Sequence, residues 1–166
     1  VIFPACTWGE VQGVYISSER RINVVGKAAQ GPQGCRPDMD MVIDKGKEIA
    51  HLLGLDGDKI FPYKKGEDGE YDAEEVFRDV CRASQGTDTD LTGILEREKL
   101  DGISPYEQLN QLRGIQWPAP TYEVAKAGGT PRRYMAQEDW SEKPYGMFRT
   151  DDGKLHIHLC EQNYEG

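Results

Sequence analysis

Three features of this sequence predict an α/β protein. A short apolar run, Val1 to Phe3, is stopped by Pro4 and reads as a strand. Residues 38–53 carry apolar side chains at spacings of three and four, which is the period of an amphipathic helix. Two further helix starts and a closing hairpin pattern follow, so strands and helices share the chain.

Taken in order, Val1–Phe3 is expected to be a short buried strand. Val14 to Ile16 reads as a second extended piece, and Ser17 to Ala29 fits either type of element. Gly31-Pro32-Gln33-Gly34 is a turn by composition. The helix over 38–53 has Pro37 at its start, where the missing N–H costs nothing, and Asp38 and Asp40 complement its dipole. Met39, Val42, Gly46, Ile49 and Leu53 share its expected buried face, and Gly54 stops it.

Residues 56–71 are charged and glycine-rich and read as an exposed loop. Asp72, with Glu75 three residues on, marks a capping box. The helix it starts should bury Ala73, Val76, Phe77 and Val80 and end at Gly86. A shorter helix is predicted over 93–99. Ser104-Pro105-Tyr106-Glu107 opens another, burying Leu109 and Leu112. Residues 114–146 show little periodicity, with a turn at Gly128-Gly129-Thr130-Pro131. Met147 to Thr150 and Leu155 to Leu159 read as a hairpin around Asp151-Asp152-Gly153.

Composition narrows the function. The net charge is −9 with no long basic run, which argues against nucleic acid as a partner. No stretch is long and apolar enough to span a membrane. Apolar content is 37%, with 19 Gly and 9 Pro, so much of the surface is expected to be loop or to pack on parts outside the chain. The chain opens at Val1 inside an apparent strand, which favours an internal piece of a longer protein. Cys6, Cys35, Cys81 and Cys160 form no Cys-x-x-Cys pair, so buried thiols are expected, with a Cys6–Cys35 disulfide as the alternative.

Several residues have chemistry to offer. A carboxylate at a helix start, such as Asp38, either caps backbone N–H groups or accepts paired donors from a ligand. Arg20 and Arg21 carry guanidinium forks suited to phosphate or carboxylate, or to an ion pair with Glu19 or Glu10. His156, His158 and Cys160 alternate along one strand, which suits either a polar face or a metal site short of its fourth ligand.

The ordered set Pro4-Ala5, Trp8-Gly9-Glu10, Gly13-Val14-Tyr15, Ser18-Glu19-Arg20-Arg21 and Pro37-Asp38 resembles a stretch of the large catalytic subunits of molybdopterin oxidoreductases, the dimethyl sulfoxide reductase family. Arg113 to Pro118 and Phe148 to Leu159 resemble two later landmarks of the same subunits, in the same order. Nitrate reductase and arsenite oxidase-like members are the nearest in pattern.

The resemblance implies part of a Rossmann-like domain that holds a molybdopterin guanine dinucleotide, over 1–112. Residues 113–166 would form an extended connection and hairpin leading to a C-terminal barrel. It implies a bis-molybdopterin guanine dinucleotide with molybdenum or tungsten, and an iron–sulfur cluster elsewhere in the parent chain. An iron–sulfur or cytochrome partner and a small inorganic or one-carbon substrate are implied as well. Nitrate reduction leads; arsenite and formate oxidation follow. The cofactor-binding residues it implies here are Asp38, Glu10, Arg20 and Arg21. Neither the metal ligand nor the cluster cysteines match this segment, so the chain alone should be inactive. Val11 departs from the pattern, since many relatives carry a cofactor-contacting Lys there. The reading from another class is an acidic scaffold domain in which Arg20, Arg21 and Asp38 serve structure only.

Overall fold

The computed structural model describes residues 2–131 and His156. The chain packs as two units, 1–130 and 131–166, and every element below lies in the first. The expected C-terminal hairpin, with His158 and Cys160, falls outside the described residues.

The mixed α/β class is borne out. A 3-10 turn, Trp8–Glu10, leads to strand β1 (Gly13–Ile16), β2 (Arg21–Val25), helix α1 (Asp38–Leu52) and a short α2 (Gly57–Ile60). Then come α3 (Ala73–Ala83), α4 (Thr92–Asp101), α5 (Pro105–Gln111), β3 (Ile115–Gln116) and α6 (Tyr122–Lys126). The strands form one antiparallel sheet in the order β1-β2-β3, with Ile16 opposite Ile22 and Ile22 opposite Ile115.

The ambiguous stretch after Ser17 is therefore a hairpin. Its turn closes with the Arg20 N–H donating to Ser17 C=O at 3.0 Å. Arg20 sits at φ +66°, the left-handed position that glycine or asparagine ordinarily takes in such turns.

The core lies between this sheet and the later helices. Ile22 and Ile115 meet Phe77 and Cys81 of α3, Ile94 of α4, Tyr106 and Leu109 of α5, and Ala125 of α6. Gln108, fully buried, donates from Nε2 to the carbonyls of Ile94 and Ile103, tying α5 to α4. Local capping set these helices as expected. Asp72 accepts from the N–H groups of Glu74 and Glu75, and Ser104 from Glu107. On α3 the buried residues are Phe77 and Cys81, while Val80 faces solvent, so the expected face is turned by one position. Burial raises the Cys81 thiol to about 12, an inert core sulfur. Cys6 and Cys35 are free and only half-buried, which corrects the disulfide alternative and the expectation of burial.

Two expectations fail at the start of the chain. Ile2 and Phe3 are exposed, and among the described residues the pairing there is one parallel bridge between Ala5 and Arg36. On α1 the buried side chains are Asp40, Ile43 and Ala50, whereas Val42, Ile49 and Leu53 are exposed. The reason lies in residues 56–71. Most of them are exposed, as expected, but Phe61, Tyr63 and Tyr71 reach back onto α1. Phe61 packs where a Cβ on Gly46 would lie 2.6 Å from its ring, so only glycine admits it. The Tyr71 hydroxyl donates to Asp44 at 2.7 Å, with Lys65 donating to the other oxygen of the same carboxylate. Of the expected face, Gly46 is thus covered, while Val42, Ile49 and Leu53 are left outside.

Two elements were missed in the stretch after Gly114. Strand β3 has two residues and α6 has five, too short to show a period, and both are held by tertiary contacts. The Gly128–Gly129 turn is as expected, with both at positive φ. A Cβ on Gly129 would meet Gln116 O at 1.8 Å, so this turn needs glycine for approach as well as for φ.

Candidate functional site

Asp38 is the first residue of α1, after Pro37 at the cap position. The cap residue, Pro37, makes no side-chain cap hydrogen bond, and among the described residues no hydrogen bond or ion pair to the Asp38 carboxylate is present. Asp38 is exposed and lines an open cavity of about 680 Å³ between the Trp8 turn, the start of α1 and residues 66–73. Trp8 also lines it, 76% exposed, on a turn stabilised when Glu10 Oε2 accepts the Thr7 N–H at 2.8 Å.

Beneath Asp38 lies Asp40, only 2% exposed, which accepts the Tyr71 N–H at 3.3 Å and so pins residue 71 to the helix. Burial pushes its carboxyl upward, the Tyr71 bond offsetting part of this. Asp68, Glu70 and Asp72 complete an acidic rim. Lys27 donates to Glu70 at 2.6 Å and carries the neighbouring loop onto it.

Chemically this wall suits a flat group with donor-rich edges. An indole face offers stacking, and a carboxylate with free acceptor sites offers paired hydrogen bonds. A guanine edge fits that description. A phosphate does not, because the rim is acidic.

The four residues expected at the cofactor are thus not together. Glu10 is turned onto its own turn, close to Gly31, where a Cβ would lie 3.3 Å from Oε2. Arg20 donates from Nη1 to Trp117 C=O and from Nη2 to Thr130 C=O (3.1 Å), and its guanidinium lies 5.4 Å from the Trp117 ring. Arg21 donates from Nη1 to Gly114 C=O at 3.2 Å. Both arginines join the first sequence landmark to the second, Arg113 to Pro118. Only Asp38 lines the cavity. Trp8 and Asp40 entered the sequence argument as a landmark and a dipole partner. Asp40 was legible in principle, since Asp40, Ile43 and Ala50 share a helical face.

Among the described residues no cluster of His, Cys, Asp and Glu is arranged to hold a metal, and no helix is long and apolar enough to cross a membrane. Of the His156, His158 and Cys160 set, only His156 is described.

No family model matches the chain. Curated relatives do. An assimilatory nitrate reductase of Haloferax mediterranei is 29% identical over 72% of this chain and 14% of its own length. A nitrate reductase of Symbiobacterium thermophilum is 30% identical over 84% of this chain and 15% of its own length. The iodate reductase subunit IdrA of a Pseudomonas species is 27% identical over the whole chain and 18% of its own length. Formate dehydrogenase alpha subunits match as well. The chain is therefore related to the molybdopterin oxidoreductases, as its N-terminal landmarks suggest, with nitrate reductases and formate dehydrogenase alpha subunits equally represented. It spans less than a fifth of the length of these relatives.

Proposed function

We propose that this chain is a segment of the catalytic subunit of a molybdenum or tungsten bis-molybdopterin guanine dinucleotide oxidoreductase, nitrate reductase-like in its substrate. The observation that carries the reading is the Asp38 carboxylate, unengaged among the described residues and lining a cavity that Trp8 also lines. A carboxylate serving only as a helix cap would be turned onto the α1 N–H groups. The parallel bridge from Ala5 to Arg36, followed directly by α1, supports the Rossmann-like part of the reading.

In this reading Asp38 accepts the N–H donors of the guanine edge and Trp8 covers its face. Asp40 fixes the cavity floor through Tyr71. Glu10, Arg20 and Arg21 act one step back. Glu10 braces the Trp8 turn, and the arginines lock the β1–β2 hairpin to residues 114–130. The bound cofactor supplies the redox chemistry at its metal, and the protein supplies position and electrostatics. The metal ligand, the iron–sulfur cluster and an electron-transfer partner belong to the rest of the enzyme. The chain by itself is inactive. A formate dehydrogenase-like parent is the second reading, supported by a match of 31% identity to an F420-dependent formate dehydrogenase subunit alpha of Methanocaldococcus jannaschii.

The test is metal and pterin analysis of the full-length protein, together with Asp38→Ala in that protein. Molybdenum or tungsten with about two pterins per polypeptide is expected, since that cofactor carries the chemistry. Asp38→Ala should lower pterin occupancy while leaving the thermal transition of cofactor-free protein unchanged. A protein with neither metal nor pterin would establish the acidic scaffold reading instead.

A further inference from the structure

A guanine edge carries two hydrogen-bonding senses side by side. Its N1–H and 2-amino group donate, whereas O6 and N7 accept. Asp38 answers the donors and leaves O6, next to N1–H, without a partner. The cavity wall is poor in groups that would serve it. Asp38, Asp40, Glu67, Asp68, Glu70 and Asp72 line the wall, and ionised carboxylates only accept. An O6 turned toward that rim meets like partial charge and gains no hydrogen bond.

The donors nearby are mostly committed. The Tyr71 hydroxyl donates to Asp44 at 2.7 Å. The N–H groups of Gly66, Glu70 and Tyr71 donate to Glu70 C=O, Asp68 and Asp40 in turn. The Cys6 thiol, a weak donor, lies against Gly31, where a Cβ would come within 2.9 Å of Sγ. A Trp8 ring stacked on the base holds its N–H in a plane parallel to the base, off the base edge. Gln12 differs from all of these. It lines the same cavity, is exposed, and stands between the Trp8 turn and β1. Among the described residues no hydrogen bond engages its side chain. Among them it is also the one neutral amide on the wall, with an NH₂ group free to donate.

We infer that Gln12 is a specificity-determining residue of this cavity: its Nε2 donates to guanine O6 while Asp38 accepts from N1–H and the 2-amino group. The inference rests on the reading of Asp38 as a guanine ligand. Two side chains of opposite hydrogen-bonding sense then read one base edge. The parallel bridge between Ala5 and Arg36 ties together the segments that carry them, the loop before β1 and the start of α1.

The experiment titrates GMP, 6-thio-GMP and IMP into the full-length protein isolated without cofactor. 6-Thio-GMP keeps the N1–H and 2-amino donors but replaces O6 with sulfur, a weaker acceptor. IMP keeps O6 and lacks the 2-amino group. The parent should bind GMP about tenfold more tightly than 6-thio-GMP, the worth of one hydrogen bond. Gln12→Leu should bind these two alike and still discriminate against IMP, because Asp38 is intact. Gln12→Glu removes the donor and adds a charge, so it should bind GMP more weakly than Gln12→Leu; it decides alone if the leucine variant does not fold. A preference for GMP over 6-thio-GMP that survives in both variants would overturn the inference. The N–H groups at the start of α1 would then be the O6 donors, with the Asp38 reading intact. Absence of GMP binding, or GMP and IMP bound equally by the parent, would overturn the Asp38 reading and the inference with it.

Discussion

Arg20 offers a test in which two effects oppose each other. The residue holds φ +66° at the hairpin turn, which costs a non-glycine residue about 1 kcal/mol. Its side chain bonds the carbonyls of Trp117 and Thr130 and lies over the Trp117 ring. These bonds are partly buried, so water can replace them in part, and each contributes about 1 kcal/mol rather than the full charge-assisted value. The contact with the indole adds about 0.5–1 kcal/mol. Arg20→Ala removes the contacts and keeps the backbone cost, for a loss of about 3 kcal/mol. Arg20→Gly removes both, for a loss of about 2 kcal/mol. Urea unfolding of the chain, followed by far-UV circular dichroism, should rank the parent first, the glycine variant second and the alanine variant last. An alanine variant as stable as the parent would refute the clamp. A glycine variant less stable than the alanine variant would refute the strain.

Other outcomes follow from the same structure. Burial alone would raise the Asp44 carboxyl, but hydrogen bonds from Tyr71, Lys65 and Arg36 hold it down at about 2, against 3.8 ordinarily. A depressed carboxylate stabilises the fold above its unfolded value and loses that contribution as pH falls through the folded one. About 2 kcal/mol of stability should therefore disappear between roughly pH 4 and pH 2, and acid titration of Asp44→Asn should show a correspondingly flatter curve. Gly93→Ala sets helix propensity against space. Alanine favours a helix by about 1 kcal/mol, yet its Cβ would lie 2.1 Å from Thr121 O and displace the Gly93 N–H bond to Ala119 C=O. A net loss of about 2–3 kcal/mol is expected, and a raised melting temperature would contradict the packing of α4 on residues 119–121.

The helix starts at Asp72 and Ser104 were legible because a cap is a local device, written within four residues. The stripe on α1 was legible as a period but not as a direction. A helical period says that one face is apolar; it does not say whether the covering partner is present. Here residues 56–71 took the flank of the stripe, with Phe61 on Gly46 and Tyr71 on Asp44, and left Val42, Ile49 and Leu53 open. β3 and α6 escaped notice because neither is long enough to have a period. At the candidate site, Asp38 stood out through its motif, whereas the engagement of Arg20 and Arg21 with carbonyls of residues 114, 117 and 130 depends on contacts across most of the chain. No spacing rule reaches that far.

The main core draws on Ile22 and then on residues from Phe77 to Ala125, while α1 and residues 56–71 contribute nothing to it. The Asp38 cavity is walled mostly by that second group together with the Trp8 turn, and Ala73 is the lining residue that also packs on the core. Most of its walls are thus anchored apart from the main core, and local opening of α1 and residues 66–71 does not require the core to open. A ligand seated against Asp38 and Trp8 would be felt first as ordering. Amides of α1 and residues 66–73 would slow their exchange, while those of α3 to α5 would keep the rate set by global unfolding. The chain is built so that occupancy of the cavity tightens one half and leaves the other unchanged.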